Sequence, residues 1–544
     1  MARWGGAVRG GAGWCDSCFL DQDSGIVSLI MLLALLLPPL HAAEIFEDRA
    51  FYFGDLHVHT GASGDGWSSD TKGCSPNFPD CGALADVFTE ARAVGLDFAS
   101  VSEHVNNIYT AEAEYFSLLH NMSLDADDPA GGFVTIPAAE LALSLGAGAL
   151  LGHKNLYMFA DNATLREMSI DDLRWDGESM VFESCEAGAA WFADWRATWG
   201  TGWLVPHHPA TTGSPHPTDW SCVDDGLQPV VEMYSKHGNS LSSGTTYDLP
   251  VEGLDPARTV YEALDPAGYD VRVGFLSSTD DHHTRPGSTC TAIPGTSFAY
   301  GGGLAVAVLD ASEPFERAAV GDAMGARRMY ATSGPKLPVI IAYETSDGAP
   351  LGGMGEVIEV AEGESVNVEV RLPASAAALV VEVRLVGPSS VFLLQDRGDG
   401  VYGADGVPPE AWLHALVRLD GEGWWGDPCD DGGADAEERI WLSPTWFEVR
   451  AVEPVEDTGD TGDTASGGDS DPPDTEAPTV DSEDTEAPTA AEDTEAAEPE
   501  DPATPIPEAA CSCGGRVAGD GSLGGAWWFA AVLLVGVRRS ERSG

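Results

Sequence analysis

Nine of the thirteen histidines in this 544-residue chain lie at or just beyond the ends of apolar, strand-like runs. They are His57, His59, His104, His153, His207, His208, His237, His282 and His283. Histidines scattered over a solvated surface would not collect there. The first run ends in Asp55-Leu-His57-Val-His59. Residues two apart on a strand point the same way, so two imidazoles face one site, and Asp65 in the Gly64-Asp65-Gly66 loop can swing in beside them. Later runs end in Glu103-His104, in Glu140 with Gly152-His153 soon after, in His207-His208-Pro209 and in Asp280-Asp281-His282-His283. Singly, each has an ordinary explanation: a satisfied polar H-x-H pair, an ion-paired Glu140, His104 as a helix cap. Jointly, five strand ends delivering imidazole and carboxylate predict a multinuclear metal site, which this donor set suits.

The elements that must carry these residues follow from the hydropathy pattern. Strand-like stretches are Phe51–His59, Leu96–Ser102, Phe133–Leu143, Lys154–Phe159, Trp203–Pro206, Val230–Ser235 and Val271–Ser278. Helical patterns cover Ala83–Val94, Ala111–Met122, Ala187–Trp199 and Pro256–Leu264, the last with Asp255 as N-cap and Pro256 at its first position. Strand followed by helix, repeated through residues 44–335, predicts an α/β domain. The count suits a closed parallel barrel, in which the C-terminal strand ends meet on one face. From 336 to 452 short alternating runs such as Val339–Tyr343, Ser365–Leu372, Ala378–Leu385 and Trp446–Val449 predict a β-rich accessory domain.

Beyond these lie segments that build no core. Residues 1–43 fit a secretory leader, with an apolar run from Ile26 to Leu37 after Arg3 and Arg9. Residues 453–510 are low-complexity Asp/Glu/Thr/Pro/Ala, too poor in apolar groups to offset the entropy of ordering, and read as an acidic disordered linker. Residues 511–544 hold Cys511, Cys513, an apolar run from Ala526 to Val537 and a terminal Arg538-Arg539, an anchor that places the protein at the cell envelope.

Charge excludes a partner. With 88 Asp plus Glu against 27 Lys plus Arg the net charge is −61, and the only lysines are Lys72, Lys154, Lys236 and Lys336, so nucleic acid is ruled out. Export makes Cys74, Cys81, Cys185, Cys222, Cys290 and Cys429 an even set in a disulfide-permissive compartment. Cys74 and Cys81 flank a short loop and form the first expected pair; the other pairings stay open.

In order and type the motifs resemble the PHP family, named for polymerase and histidinol phosphatase: H-x-H, a later Asp, His after the second strand, Glu, His, His-Pro and D-x-H over residues 51–290. That resemblance implies a seven-stranded distorted (β/α) barrel binding two or three divalent metals (Zn, Mn or Fe). By it, His57, His59, Glu140 and Asp280 would hold one metal; Glu140, His153 and His208 a second, with Glu140 bridging; Asp65, His104 and His282 a third. His207 against His208, and Asp280-x-His282 against Asp281-x-His283, remain alternatives. Phrases such as Gly152-His-Lys-Asn-Leu-Tyr157, Val231-Glu-Met-Tyr-Ser-Lys-His-Gly238 and Trp441-Leu-Ser-Pro-Thr-Trp446 resemble one branch of unknown function. The C-terminal segment resembles myxobacterial sorting signals. The implied activity is hydrolysis of a small anionic ester, foremost a phosphoester, by metal-activated water. His207, His237 and Arg285 are the catalytic candidates, His237 as general acid and Arg285 as ligand of the oxyanion or phosphate. Two other classes compete: an amidohydrolase, which shares the H-x-H strand but commonly needs a modified bridging lysine, and a non-catalytic surface-binding protein with structural metal. The residues do not decide the oligomeric state.

Overall fold

A computed structural model describes residues 44–451, apart from 76–80, 106–112, 146–149, 174–179, 213–216, 244–250, 252, 289–300 and 421–436. The leader, the acidic linker, the C-terminal segment, Cys290 and Cys429 therefore lie outside the described residues.

Each run marked before residue 280 forms a strand, most with shifted ends and the one over 133–143 as two, and strands at 304–310, 329–332 and 437–442 that the pattern did not mark join them. They are β1 (Arg49–Asp55), β2 (Phe98–Ala99), β3 (Val134–Thr135), β4 (Ala138–Leu145), β5 (Leu150–Met158), β6 (Gly202–Pro206), β7 (Val230–Ser235), β8 (Gly274–Ser277), β9 (Leu304–Asp310), β10 (Met329–Thr332) and β11 (Glu437–Leu442). Their assembly is not the expected closed parallel (β/α)7 barrel. The described strands divide among four sheets, most pairs are antiparallel, and few helices intervene. The hairpin of β4 and β5 shows why. Only residues 146–149 separate them, and a parallel crossover needs a dozen or more, so the two strands pair antiparallel, with Glu140 opposite Asn155. β9 likewise runs antiparallel to both β1 and β10.

A twelve-stranded sheet runs β3-β2-β1-β9-β10-β11 and continues through Trp412–Asp420, Thr445–Arg450 and Val357–Ala361. It thus takes strands from both sides of residue 335. A shared core packs Phe51, Phe53, Val306 and Tyr330 against Ile341, Val368, Val370 and Val417, all buried. A second core lies where the sheet of β4, β5 and β6 meets a long helix, and holds Leu143, Leu156, Phe192, Trp195 and Leu204.

Among the described residues the helices of five residues or more are α1 (Val87–Ala93), α2 (Ala113–Ala126), α3 (Cys185–Trp199), α4 (Val260–Leu264) and α5 (Arg317–Gly325). α3 starts where the Ser184 side chain accepts from Ala187 N and stops at Gly200, whose φ of 90° ends the helical path. The helix expected over 256–264 is broken: Asp255 caps a 3-10 turn at Pro256–Arg258, and an extended Thr259 caps α4 afresh. Among the described residues there are two disulfides, the expected Cys74–Cys81 and also Cys185–Cys222, which ties the first turn of α3 to the 3-10 turn at Trp220–Cys222.

Candidate metal centre

Single backbone bridges link Val58 with Asp281, His104 with Glu140 and His207 with Glu232, in each case joining a residue beyond the end of a strand to a neighbouring element. These bridges bring the ends of separate strands into one place, and every bridge lies at or beside a residue of the histidine cluster. Three of the connecting backbones are bent unusually. His208 (φ 32°), Asp280 (φ 53°) and Thr284 (φ 58°) have positive φ, a region that Asp and His enter more readily than most residues. Strain of this kind persists only where surroundings hold it, and it gathers at functional sites.

Glu140 is the centre. Its Oε2 lies 3.1 Å from His57 Nε2 and 3.0 Å from His59 Nε2; its Oε1 lies 3.0 Å from His104 Nδ1, 2.5 Å from His153 Nδ1 and 3.1 Å from His207 Nε2. Asp280 adds Oδ1 at 3.4 Å from the Nε2 atoms of both His57 and His59, and Oδ2 at 3.1 Å from His237 Nε2. Asp65 Oδ2 is 3.2 Å from His104 Nε2 and 3.6 Å from His282 Nε2.

The outer nitrogens of the H-x-H pair are committed. His57 Nδ1 meets Glu232 at 3.1 Å and His59 Nδ1 meets Ser63 Oγ at 3.2 Å, which turns both Nε2 atoms inward to 3.0 Å from one another. Ser63 in turn donates to Glu103, which also accepts from Thr60 N at 2.8 Å. Metal-ligating imidazoles are held in this way, one nitrogen to the ion and the other to an acceptor.

The polar atoms fit cations better than they fit each other. Glu140 Oε1, Asp280 Oδ1 and both ring nitrogens of His207 are buried and form no hydrogen bond of acceptable geometry. Five groups of three or four residues have ligand atoms close enough to share an ion: His57 with His59 and Glu140; His104 with Glu140 and His153; His59 with His104 and His282; His153 with His207 and His208; and His57 with His207, Glu232 and Asp280. Buried imidazole and carboxylate donors of this kind suit Zn, Fe or Mn.

The electrostatics agree. Burial opposes charge on His57, yet Asp280 and Glu232 outweigh it and hold the imidazole well above its usual range. Burial acts against ionised Glu140 too, but the surrounding His104, His207 and His153 keep its carboxyl well below the usual carboxylate range. Burial, only partly opposed by Glu140, drives His207 down to about 3, leaving it neutral and able to ligate.

The structure brings together His57, His59, Asp65, His104, Glu140, His153, His207, His208, His237, Asp280 and His282. Of the two D-x-H readings, Asp280 and His282 face the cluster, whereas Asp281 pairs with buried Lys236 and lies 3.6 Å from His283 Nδ1. His207 and His208 both join a ligand group, so the choice between them dissolves, and His207 sits among ligands rather than apart as a catalytic group. Arg285 is not there. Its side chain is exposed and its charge acts on Glu90 of α1, while only its backbone N contributes, by donating to Asp281 Oδ2 at 2.8 Å.

Glu232 was missed by sequence reasoning. The signal was an acid on the same face as Val230 and Tyr234 within β7, a strand buried throughout. Lys154 does not take the bridging role of an amidohydrolase lysine: next to His153 on β5, it points to the opposite face, where it donates to Gln228 Oε1 at 2.5 Å.

No family model matches the chain, and no curated protein matches it. Among solved structures, a modular endo-β-1,4-mannanase from Cellulomonas fimi, of glycoside hydrolase family 26, is similar over 68% of this chain and 80% of its own, with 13% identity and a TM-score of 0.19.

Proposed function

We propose that this chain is an exported, metal-dependent hydrolase acting on a small anionic ester, foremost a phosphoester. The observation that carries the reading is Glu140, whose two carboxylate oxygens stand between five imidazoles at 2.5–3.1 Å. A carboxylate so placed would hold two ions together with these imidazoles, and Asp65, His104 and His282 would offer donors for a third. Divalent cations there supply Lewis acidity toward ester oxygens and lower the pKa of water toward neutrality. Cationic centres also explain how so acidic a chain attracts an anion.

The chain's own groups do the rest. His57 and His59 are oriented by Glu232 and by Ser63 with Glu103 behind it, so that the donor atoms need not reorganise. His237, 20% exposed and 3.1 Å from Asp280, stands at the open side of the cluster, placed to give a proton to a leaving oxygen. The disulfides Cys74–Cys81 and Cys185–Cys222 support export, and the C-terminal segment supports attachment to the cell envelope.

The test is metal analysis of the purified protein, followed by hydrolysis assays on phosphomonoesters, phosphodiesters, amides and lactones. Two or three equivalents of metal and chelator-sensitive turnover of a phosphoester are expected, with both lost in His57→Ala/Asp280→Ala. Turnover that survives chelation and this double change would refute the reading. Bound metal with no turnover on any class would favour the surface-binding alternative, and preferred amide cleavage the amidohydrolase one.

A further inference from the structure

The strand that carries His153 into the metal cluster also carries Lys154 to the other face of its sheet, and that face has a cleft of its own. The cleft lies between β4, β5 and β6 on one side and α3 on the other, with about 400 Å³ of free space, part of it open to solvent. Its buried wall includes Leu204, Phe192, Lys154 and Gln228; half-buried Gly188 and Trp191 of α3 stand at the mouth, beside the Cys185–Cys222 disulfide.

Lys154 is the anomaly in this apolar space. It is 3% exposed, and its amine carries three donors but among the described residues meets one acceptor, the neutral amide oxygen of Gln228 at 2.5 Å. It forms no ion pair among the described residues; Asp219 is the acid whose charge reaches it. Burial among Leu, Phe and Trp, only partly opposed by Asp219, pulls this amine down to about 7, and an anion seated beside it would restore the charged form. The natural complement is a group that brings two oxygens and a negative charge on an apolar body.

We propose that this cleft is a binding site for a small aliphatic carboxylate, its carboxylate on Lys154 Nζ and its chain along Leu204, Phe192 and Trp191. The site is separate from the metal cluster, because successive residues of β5 face opposite ways and the two never share a wall. It does not rest on the hydrolase reading, since binding alone is measured.

Hexanoate, hexanol and hexylamine are the probes, titrated calorimetrically into the full-length protein. Hexanoate is expected to bind with a Kd of about 1 mM or tighter, within the range its eight heavy atoms allow, and hexanol and hexylamine at least tenfold more weakly. Lys154→Met keeps the apolar stem and should weaken hexanoate at least tenfold while leaving hexanol unchanged. Gly188→Leu fills the mouth; a Cβ there meets nothing nearer than the Phe182 ring at 3.4 Å, so the backbone can carry a side chain, and far-UV circular dichroism checks that the variant is folded. That variant should lose hexanoate altogether, and it keeps the test available if Lys154→Met fails to fold. No binding of hexanoate, equal binding of hexanol, or hexanoate affinity unchanged in either variant would overturn the proposal.

Discussion

The loop that delivers Asp280 and His282 to the cluster is pinned by one buried ion pair, and breaking it gives a measurable test of how the site is built. Lys236 and Asp281 have side chains 2% and 0% exposed. Asp281 Oδ2 also accepts from the backbone N–H groups of His283 and Arg285 at 2.8 Å each, and its carbonyl accepts from His59 N at 2.7 Å. Lys236→Met leaves the carboxylate buried with those two N–H donors and the His283 imidazole but without its ammonium partner. Loss of one partner of a buried pair costs about 3–5 kcal/mol, and the surviving donors place this case near the lower end, about 3 kcal/mol at pH 7.5. Burial alone would raise the Asp281 carboxyl; Lys236, with His283, holds it below its ordinary value. A depressed carboxyl contributes stability that is present above its unfolded value, about 4, and is lost as pH falls. In the variant burial is left to raise the Asp281 carboxyl above its unfolded value, so the variant loses stability as pH climbs past about 4; the gap to the parent is therefore largest at neutral pH and narrows toward pH 4. Asp281→Asn keeps an oxygen for the N–H groups without the charge, so the double variant should recover about 2 kcal/mol of the loss. Urea unfolding of the metal-free protein gives these values when Trp fluorescence and far-UV circular dichroism report the same transition. A coupling energy below about 0.5 kcal/mol, or a loss equal at pH 4.5 and 7.5, would refute the reasoning.

Glu140→Gln preserves shape but removes the charge that the two proposed ion positions would share, so metal content measured by mass spectrometry should fall by at least one equivalent and ligand-free folding should persist. Asp97, 7% exposed, is raised to about 7 by burial despite its hydrogen bond from Phe53 N and the nearby Lys336 charge. A raised carboxyl weakens the fold as pH climbs from its unfolded to its folded value, by about 4 kcal/mol in all; Asp97→Asn should flatten stability between pH 5 and 8, seen by urea unfolding at both ends. The two disulfides close loops of different length, with sequence separations of 37 and 7. Loop entropy then predicts that replacing Cys185 and Cys222 by Ser costs about 4 kcal/mol and replacing Cys74 and Cys81 about 2, an order that unfolding of the two variants checks directly.

Much of the site is legible in the chain because its signals are local. The two-residue period of a strand makes His57 and His59 a pair without any knowledge of the fold, and Glu140 stands out as an acid ending an apolar run. Glu232 is equally local but a single acid in a strand announces nothing until His57 Nδ1 is found 3.1 Å away. Arg285 fails for the opposite reason: its backbone reaches the site, but its side chain leaves for the surface, and proximity in sequence to His282 does not encode that direction.

Strand and helix positions likewise follow from periodicity, whereas strand direction does not, because an apolar run reads the same in parallel and antiparallel pairs. The four residues between β4 and β5 were the one local clue that the barrel expectation would fail. Taken alone, the sequence determined which residue types gather at strand ends, the acidic balance of the chain, and the Cys74–Cys81 pair, since each depends on composition or on neighbours a few residues apart. Only the tertiary structure decided that Asp280 rather than Asp281 enters the cluster, that His207 and His208 both do, and that Lys236 holds the loop. Those outcomes depend on a positive φ at Asp280 and on a buried cation 45 residues away in sequence, and no local pattern carries either.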